Sequence, residues 1–213
     1  MSGRILAAAA ALAAGLTAPC AWAQATPRDE PGPVALDNDY VHVARNAAPC
    51  AQTAAGSCED RVIVAMDKIE IRVGNTRRKL TRGQVAVFDR SQSYAPPQGG
   101  AYFEVAIKPN HPPVKSPPEM IPPEKNQPIY DGERFFVYIE QLAPGDIRAR
   151  HSHSQRVEIR LNVGPLLDQW FDPPAPPVIP SIVNFRQATI HTTRNIGDMP
   201  LRNLIIEFKP ERR

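Results

Sequence analysis

A chain of 213 residues is long enough for one large domain or two small ones. Its formal net charge of +3, with both signs spread along the chain, lacks the basic footprint of a nucleic-acid binder. Its 24 prolines, about twice the usual ~5% share, disfavour long helices and favour short strands joined by rigid turns.

The first residues read as an export signal. Arg4 supplies a short basic region, Ile5 to Leu16 is almost pure Ala and Leu, and Ala21-Trp22-Ala23 gives the small-x-small cleavage pattern. Cleavage is expected after Ala23, so that residues 1–23 form the signal peptide, with Ala25 as the second choice. The apolar run is shorter than the roughly 20 residues that cross a bilayer, and it reads as a leader rather than a retained anchor. Pro19 before Cys20 fits a lipidation signal poorly. The mature protein is therefore expected to be soluble, and periplasmic or secreted. Cys50 and Cys58 survive cleavage into an oxidising compartment, where the small, flexible residues between them allow a disulfide that staples a loop.

Strand-like runs follow in both halves. Val41 to Val43, Arg61 to Met66, Lys68 to Val73, Val85 to Phe88 and Tyr102 to Lys108 fill the first. Phe135 to Leu142, Arg156 to Val163, Ile182 to Phe185, Thr189 to Thr193 and Leu201 to Lys209 fill the second. Arg77-Arg78-Lys79 reads as a solvated hairpin tip, and Pro112 to Pro128 as a stiff, extended linker. Short strands with frequent turn signals point to an all-β sandwich or barrel. The halves repeat. Arg61 lies on Arg156, Phe88 on Phe185, and both closing strands end in Lys-Pro, at offsets of 95 to 101 residues, which suggests a tandem duplication.

The chemistry concentrates in the second half. His151 and His153, at i and i+2 on a strand, point to one face, so both imidazoles can reach one ion. A turn at Ser154-Gln155 would return Glu158 on the adjacent strand, and His191 arrives on a later one. Imidazole nitrogens suit Zn, Fe, Cu and Ni, and a carboxylate adds negative charge at the same cation. Gln155 could serve as an oxygen ligand in place of Glu158, or Glu158 could stand behind the ligands. Strand parity puts Val157, Ile159, Leu161 and Val163 on one face of Arg156 to Val163, and Glu158, Arg160 and Asn162 on the other. If Glu158 faces inward, Arg160 lines the same cavity and could grip a substrate carboxylate; otherwise that polar face lies in solvent.

These residues resemble the first cupin motif. Gly145-x5-His151-x-His153-x4-Glu158 follows its spacing, with the final glycine one residue early at Gly164. His191-x3-Asn195 is similar to the end of the second motif, whose usual upstream Pro-x-Gly is replaced by Arg186-Gln187-Ala188. The resemblance implies two tandem cupin-type double-stranded β-helix (jelly-roll) barrels, a bicupin. It also implies His151, His153, Glu158 and His191 as ligands of a divalent metal ion, Fe(II), Mn(II), Ni(II) or Zn(II).

In the first half Gly56, Cys58, Ile63 and Tyr94 stand where His151, His153, Glu158 and His191 should be, so residues 24–111 form a degenerate domain. Residues 112–128 are the linker and 129–213 the metal-binding domain. His42 and His111 read as surface or turn residues. Trp170 and Phe171, in a long insertion from Pro165 to Pro180, either border the pocket or serve as hydrophobic cover.

Three functional classes remain open. One is a metal-dependent enzyme, a dioxygenase or isomerase within this family, with Glu158 and Arg160 as catalytic groups. The others are a non-catalytic binder of a small ligand or metal, and a structural module with vestigial histidines. The expected partner is a small-molecule ligand or substrate, together with a second copy in a homodimer. Neither nucleic acid nor, after leader removal, a membrane is expected. Serine-hydrolase elbows, phosphate cradles and dinucleotide fingerprints are absent.

Overall fold

The computed structural model describes residues 34–47, 59–122, 124, 126–162, 167–174 and 181–210. The leader, Cys20, Cys50, Gly56, Cys58, Val163 and Gly164 lie outside the described residues. Among the described residues there are sixteen strands and no helix, and none is part of a helix able to cross a membrane.

Each half contributes one five-stranded and one three-stranded sheet. In the first half β1 (Val34–Asp37), β2 (Val41–Arg45), β3 (Asp60–Ala65), β6 (Val85–Phe88) and β8 (Tyr102–Ile107) assemble in the order β1-β2-β8-β3-β6. In the second, β9 (Asn126–Asp131), β10 (Phe135–Leu142), β12 (Arg156–Arg160), β14 (Val183–Arg186) and β16 (Leu201–Phe208) assemble as β9-β10-β16-β12-β14. The order is the same. Arg61 lies between Phe88 and Ala106, and Arg156 between Arg186 and Glu207, all within the offset read from the sequence.

The smaller sheets are β5 (Thr76–Leu80), β4 (Ile69–Val73) and β7 (Ala95–Gly99) in one half. In the other they are β11 (Ile147–His153), β15 (Thr189–Asn195) and β13 (Leu167–Asp172). Several strands escaped the sequence pattern for a physical reason. β7 carries Pro96 and Pro97, and β9 carries Pro128, residues that cannot donate to a ladder; both strands sit at sheet edges, where no donor is needed. Arg77, Arg78 and Lys79 run along exposed β5 rather than forming the tip, which falls at Gly74 with φ +56°.

The main core lies between the two five-stranded sheets. Val62, Val64, Val105 and Ile107 from the first half pack in one cluster with Val157, Ile159, Leu204 and Ile206 from the second. These side chains are fully buried, each worth about 1.5–3 kcal/mol of transfer free energy. The alternation that sends Val157 and Ile159 into this shared core necessarily sends Arg156, Glu158 and Arg160 to the other face of β12. That face lines the interior of the second half.

The corresponding interior of the first half is filled. Ile63, Ile69, Ile71, Leu80, Phe88 and Tyr94 form a separate apolar cluster. The Tyr94 hydroxyl donates to Glu104, which also pairs with Arg61 at 3.2 Å. Ile63 and Tyr94 thus occupy the centre of that half, where the described residues bring together no cluster of three potential metal ligands.

Residues 111–122 follow the second half closely instead of standing off as a spacer. Lys115 and Gln155 exchange hydrogen bonds, as do Ile121 and Ser152, so this segment is stitched along the end of β11. His111 stacks on Tyr40 with ring centroids 5.4 Å apart.

Candidate metal centre

Three histidines converge. β11 and β15 are antiparallel, with His151 directly opposite His191, and the period of two places His153 on the same side as His151. His151, His153 and His191 each offer a nitrogen within 4.8 Å of the others, and all three are buried. Their ring centroids lie 4.4 to 5.3 Å apart. The flanking motif residues hold the strand ends. Gly145 adopts φ +79°, and its amide donates to the Asn195 carbonyl at 2.9 Å. Asn195, fully buried, donates from Nδ2 to the carbonyls of Leu142 and Met199.

The hydrogen bonds around His151 and His153 select the same tautomer. Nδ1 of His151 faces the Ala149 carbonyl at 2.7 Å, which demands a proton there. Nδ1 of His153 lies 3.1 Å from Glu207 Oε2 and 3.0 Å from the Tyr138 hydroxyl, which itself donates to Glu207 at 2.7 Å. Both neighbours therefore act as acceptors for His153. Nδ1 of His191 is 3.4 Å from Thr193 Oγ1. Nε2 is the nitrogen left free on each ring, and Nε2 of His151 and of His191 is buried with no hydrogen-bond partner.

Burial keeps these rings neutral. Desolvation lowers His151 to about 4, and it pushes His153 and His191 well below the ordinary imidazole range, helped by the charges of Arg148 and Arg156. Two orphaned, lone-pair-bearing nitrogens in a buried cluster are costly unless something binds them. Three neutral imidazoles, two of them anchored by Nδ1–H bonds, fit a divalent transition ion.

Glu158, on β12 in the facing sheet, stands outside this group of three. One carboxylate oxygen accepts from Arg186 Nε at 3.1 Å and the other from Asn203 Nδ2 at 3.5 Å. Gln155 is committed elsewhere: its Oε1 accepts from the Lys115 amide at 2.8 Å and its Nε2 donates to Gln187 at 2.8 Å.

No family model matches the chain, and no curated protein sequence does. Solved structures do match. The crystal structure of protein Ylba from E. coli, a DUF861 protein, aligns over 83% of this chain and 79% of its own at 11% identity, with a TM-score of 0.53. A cupin 2 conserved barrel domain protein from Leptotrichia buccalis covers 83% of this chain and 87% of its own, at 11% identity and a TM-score of 0.44. A cupin domain from Bordetella pertussis Tohama I matches 45% of this chain and 97% of its own, at 23% identity and a TM-score of 0.34.

The chain shares the fold of the Ylba structure, and its sixteen strands in paired sheets fit the jelly-roll barrels that the motif implies. Within the second half, His153 and His191 open onto a cavity of about 290 Å³. His153, His191, Glu158 and Arg160 line it together. Phe171 closes one side and stacks on His191 at 5.5 Å, whereas its neighbour Trp170 points outward and is half exposed. Of the two aromatics, only Phe171 borders the cavity.

Several groups of this barrel were not singled out in the sequence. Fully buried Arg148 pairs with Glu140, and Arg156 and Arg186 line the cavity. Tyr138 and Glu207 hold His153. A signal existed: in Phe135–Leu142 and Leu201–Phe208, Tyr138, Glu140, Asn203 and Glu207 share the face opposite the apolar residues, as Glu158 does in β12.

Proposed function

We propose that this chain is an exported, metal-dependent cupin enzyme acting on a small organic molecule in the second barrel. The observation that carries the reading is the pair of orphaned Nε2 atoms, on buried His151 and His191, in a histidine cluster whose His153 and His191 line a cavity together with Glu158 and Arg160. His151, His153 and His191 would hold the ion, and Fe(II), Mn(II), Ni(II) and Zn(II) all suit imidazole donors. When bound, such an ion activates dioxygen, polarises a carbonyl or lowers the pKa of water, which are the chemistries of a dioxygenase or an isomerase.

The chain's own groups divide the remaining work. Glu158 belongs to the motif's ligand set, but it stands outside the group of three histidines and lines the cavity, a position suited to accepting a proton from the substrate. Arg160 orients the substrate from the neighbouring position on the same face. Phe171 and Phe185 exclude water from one side. The first barrel, filled by its own side chains, acts as a packing partner, and the matching sheet orders support an origin by duplication.

The leader at residues 1–23 supports export to the periplasm or beyond. Amino-terminal sequencing of exported protein should begin at Gln24; a retained leader would overturn this part. For the site, elemental analysis of untagged protein from the exported fraction should find about one transition-metal ion per chain. His151→Ala should lose it while keeping its β-rich circular dichroism. Equal metal content in both would refute the site. Ligand binding without turnover would reduce the protein to a binder.

A further inference from the structure

The four guanidinium groups around the second barrel's interior are not equivalent. Arg148 donates to Glu140 and Asn126. Arg156 donates to the carbonyls of Ser154 and Gln187. Arg186 donates to Glu158. Arg148 and Arg160 each have a buried Nε with no hydrogen-bond partner, but Arg148 is anchored through both terminal nitrogens and lies outside the cavity lining, whereas Arg160 lines the cavity and its nearest carboxylate oxygen is Glu158 Oε1 at 3.9 Å.

A second group is also unpaired. Asn203 is 2% exposed, and its Nδ2 faces the carboxylates of Glu140 and Glu158 at 3.1 and 3.5 Å. Only the amine end of the amide can face two carboxylates, so the orientation is fixed and Oδ1 points away from them. That oxygen is buried without a donor. Arg160 and Asn203 are direct cross-strand partners on β12 and β16, and both line the cavity. Directly opposed residues on one face have Cβ atoms about 4.5–5.5 Å apart, so that one small molecule can reach both side chains.

The walls complete the specification. Leu167, Phe171, Phe185 and Leu201 supply apolar surface to the same cavity. A buried donor of positive charge calls for an anion, the adjacent acceptor calls for a hydroxyl or amine hydrogen, and the walls call for an apolar body.

Resting on the site proposed above, we infer that the substrate is a small hydroxy acid with an apolar side chain. Arg160 receives its carboxylate, and Asn203 Oδ1 accepts from the neighbouring hydroxyl. Each polar group of the ligand then relieves one buried, unsatisfied partner, and an analogue lacking either group leaves that partner unpaired.

Mandelate, phenylacetate and mandelamide test this, since the second lacks the hydroxyl and the third lacks the charge. Calorimetric titration of the metal-loaded full chain should show mandelate binding about 10- to 100-fold more tightly than either analogue, the usual range for a charge-assisted or buried hydrogen bond. Arg160→Met should remove the preference for mandelate over mandelamide while leaving the metal content and circular dichroism unchanged. Arg160→Lys should restore the charge preference only in part, because an ammonium lacks the planar fork. If metal is bound at about one ion per chain but the three compounds bind equally, or none binds, the substrate class is wrong and the metal reading stands. If no metal is bound, the proposed enzyme fails. The mandelate preference is still read on that same protein, because neither Arg160 nor Asn203 belongs to the histidine cluster.

Discussion

Glu207→Gln isolates the contribution of a group that touches a histidine and no other part of the proposed ion site. Glu207 Oε2 receives the Nδ1 proton of His153 and the hydroxyl proton of Tyr138, and Oε1 receives the Ser154 amide at 2.7 Å. A glutamine can keep the Ser154 contact through its oxygen, but then turns an NH2 toward His153 and Tyr138. Nδ1 of His153 must become an acceptor, and its proton moves to Nε2, the nitrogen that should face the ion. Loss of such a supporting carboxylate weakens metal affinity about 10- to 100-fold, equivalent to about 1.4–2.8 kcal/mol. The fold should not suffer equally. Burial raises the pKa of Glu207, so its charge is already disfavoured in the folded protein, and a neutral isostere should change metal-free stability by about 1 kcal/mol or less. Chelator competition measures the affinity, and thermal unfolding of the metal-stripped protein measures the stability. Affinity within twofold of the unmodified protein, in a variant that folds normally, would refute the tautomer argument. Tyr138→Phe should give a smaller loss of affinity, because Glu207 remains to accept the proton.

Three further outcomes are expected. The metal-stripped protein should lose thermal stability as the pH falls below about 6.5. His151, His153 and His191 all have folded pKa values below the unfolded one, so their stabilisation is present above that value and is lost through the range down to about 4 for His151; a melting temperature flat from pH 7 to pH 5 would contradict the neutral buried cluster. Tyr94→Phe should cost about 1–2 kcal/mol in denaturant unfolding by stripping Glu104 of its buried donor, and it should leave metal stoichiometry untouched; a fall in bound metal would give the first barrel a part in metal binding. Gln155→Ala should loosen the segment at Lys115, seen as faster amide exchange there, without releasing metal. Metal loss in that variant would restore Gln155 as a ligand.

Most of the second barrel was legible along the chain. Two histidines separated by one residue on a strand must share a face, because the pleat has a period of two, and that geometry is local. The same rule correctly divided β12 into Val157 and Ile159 against Glu158 and Arg160. It also underlies the match between halves, since Arg61 and Arg156 occupy equivalent ladder positions. The edge strands β7 and β9 were not legible. Their prolines argue against a strand, and only their place at a sheet edge makes those prolines harmless.

Which polar groups are satisfied was decided by the tertiary structure alone. Hydrogen-bond partners on different strands meet across distances in the chain that no local pattern encodes. Glu207 reaches His153, and Arg186 reaches Glu158, only because the ladders of β12, β14 and β16 set their register. The sequence by itself determined the motif, its three histidines and the face on which each strand turns inward. The fold determined that Glu158 meets arginine, that Gln155 is tied to the segment before β9, and that Arg160 Nε and Asn203 Oδ1 are left without hydrogen-bond partners. Periodicity is a property of one strand, whereas satisfaction of a buried group is a property of every strand packed around it.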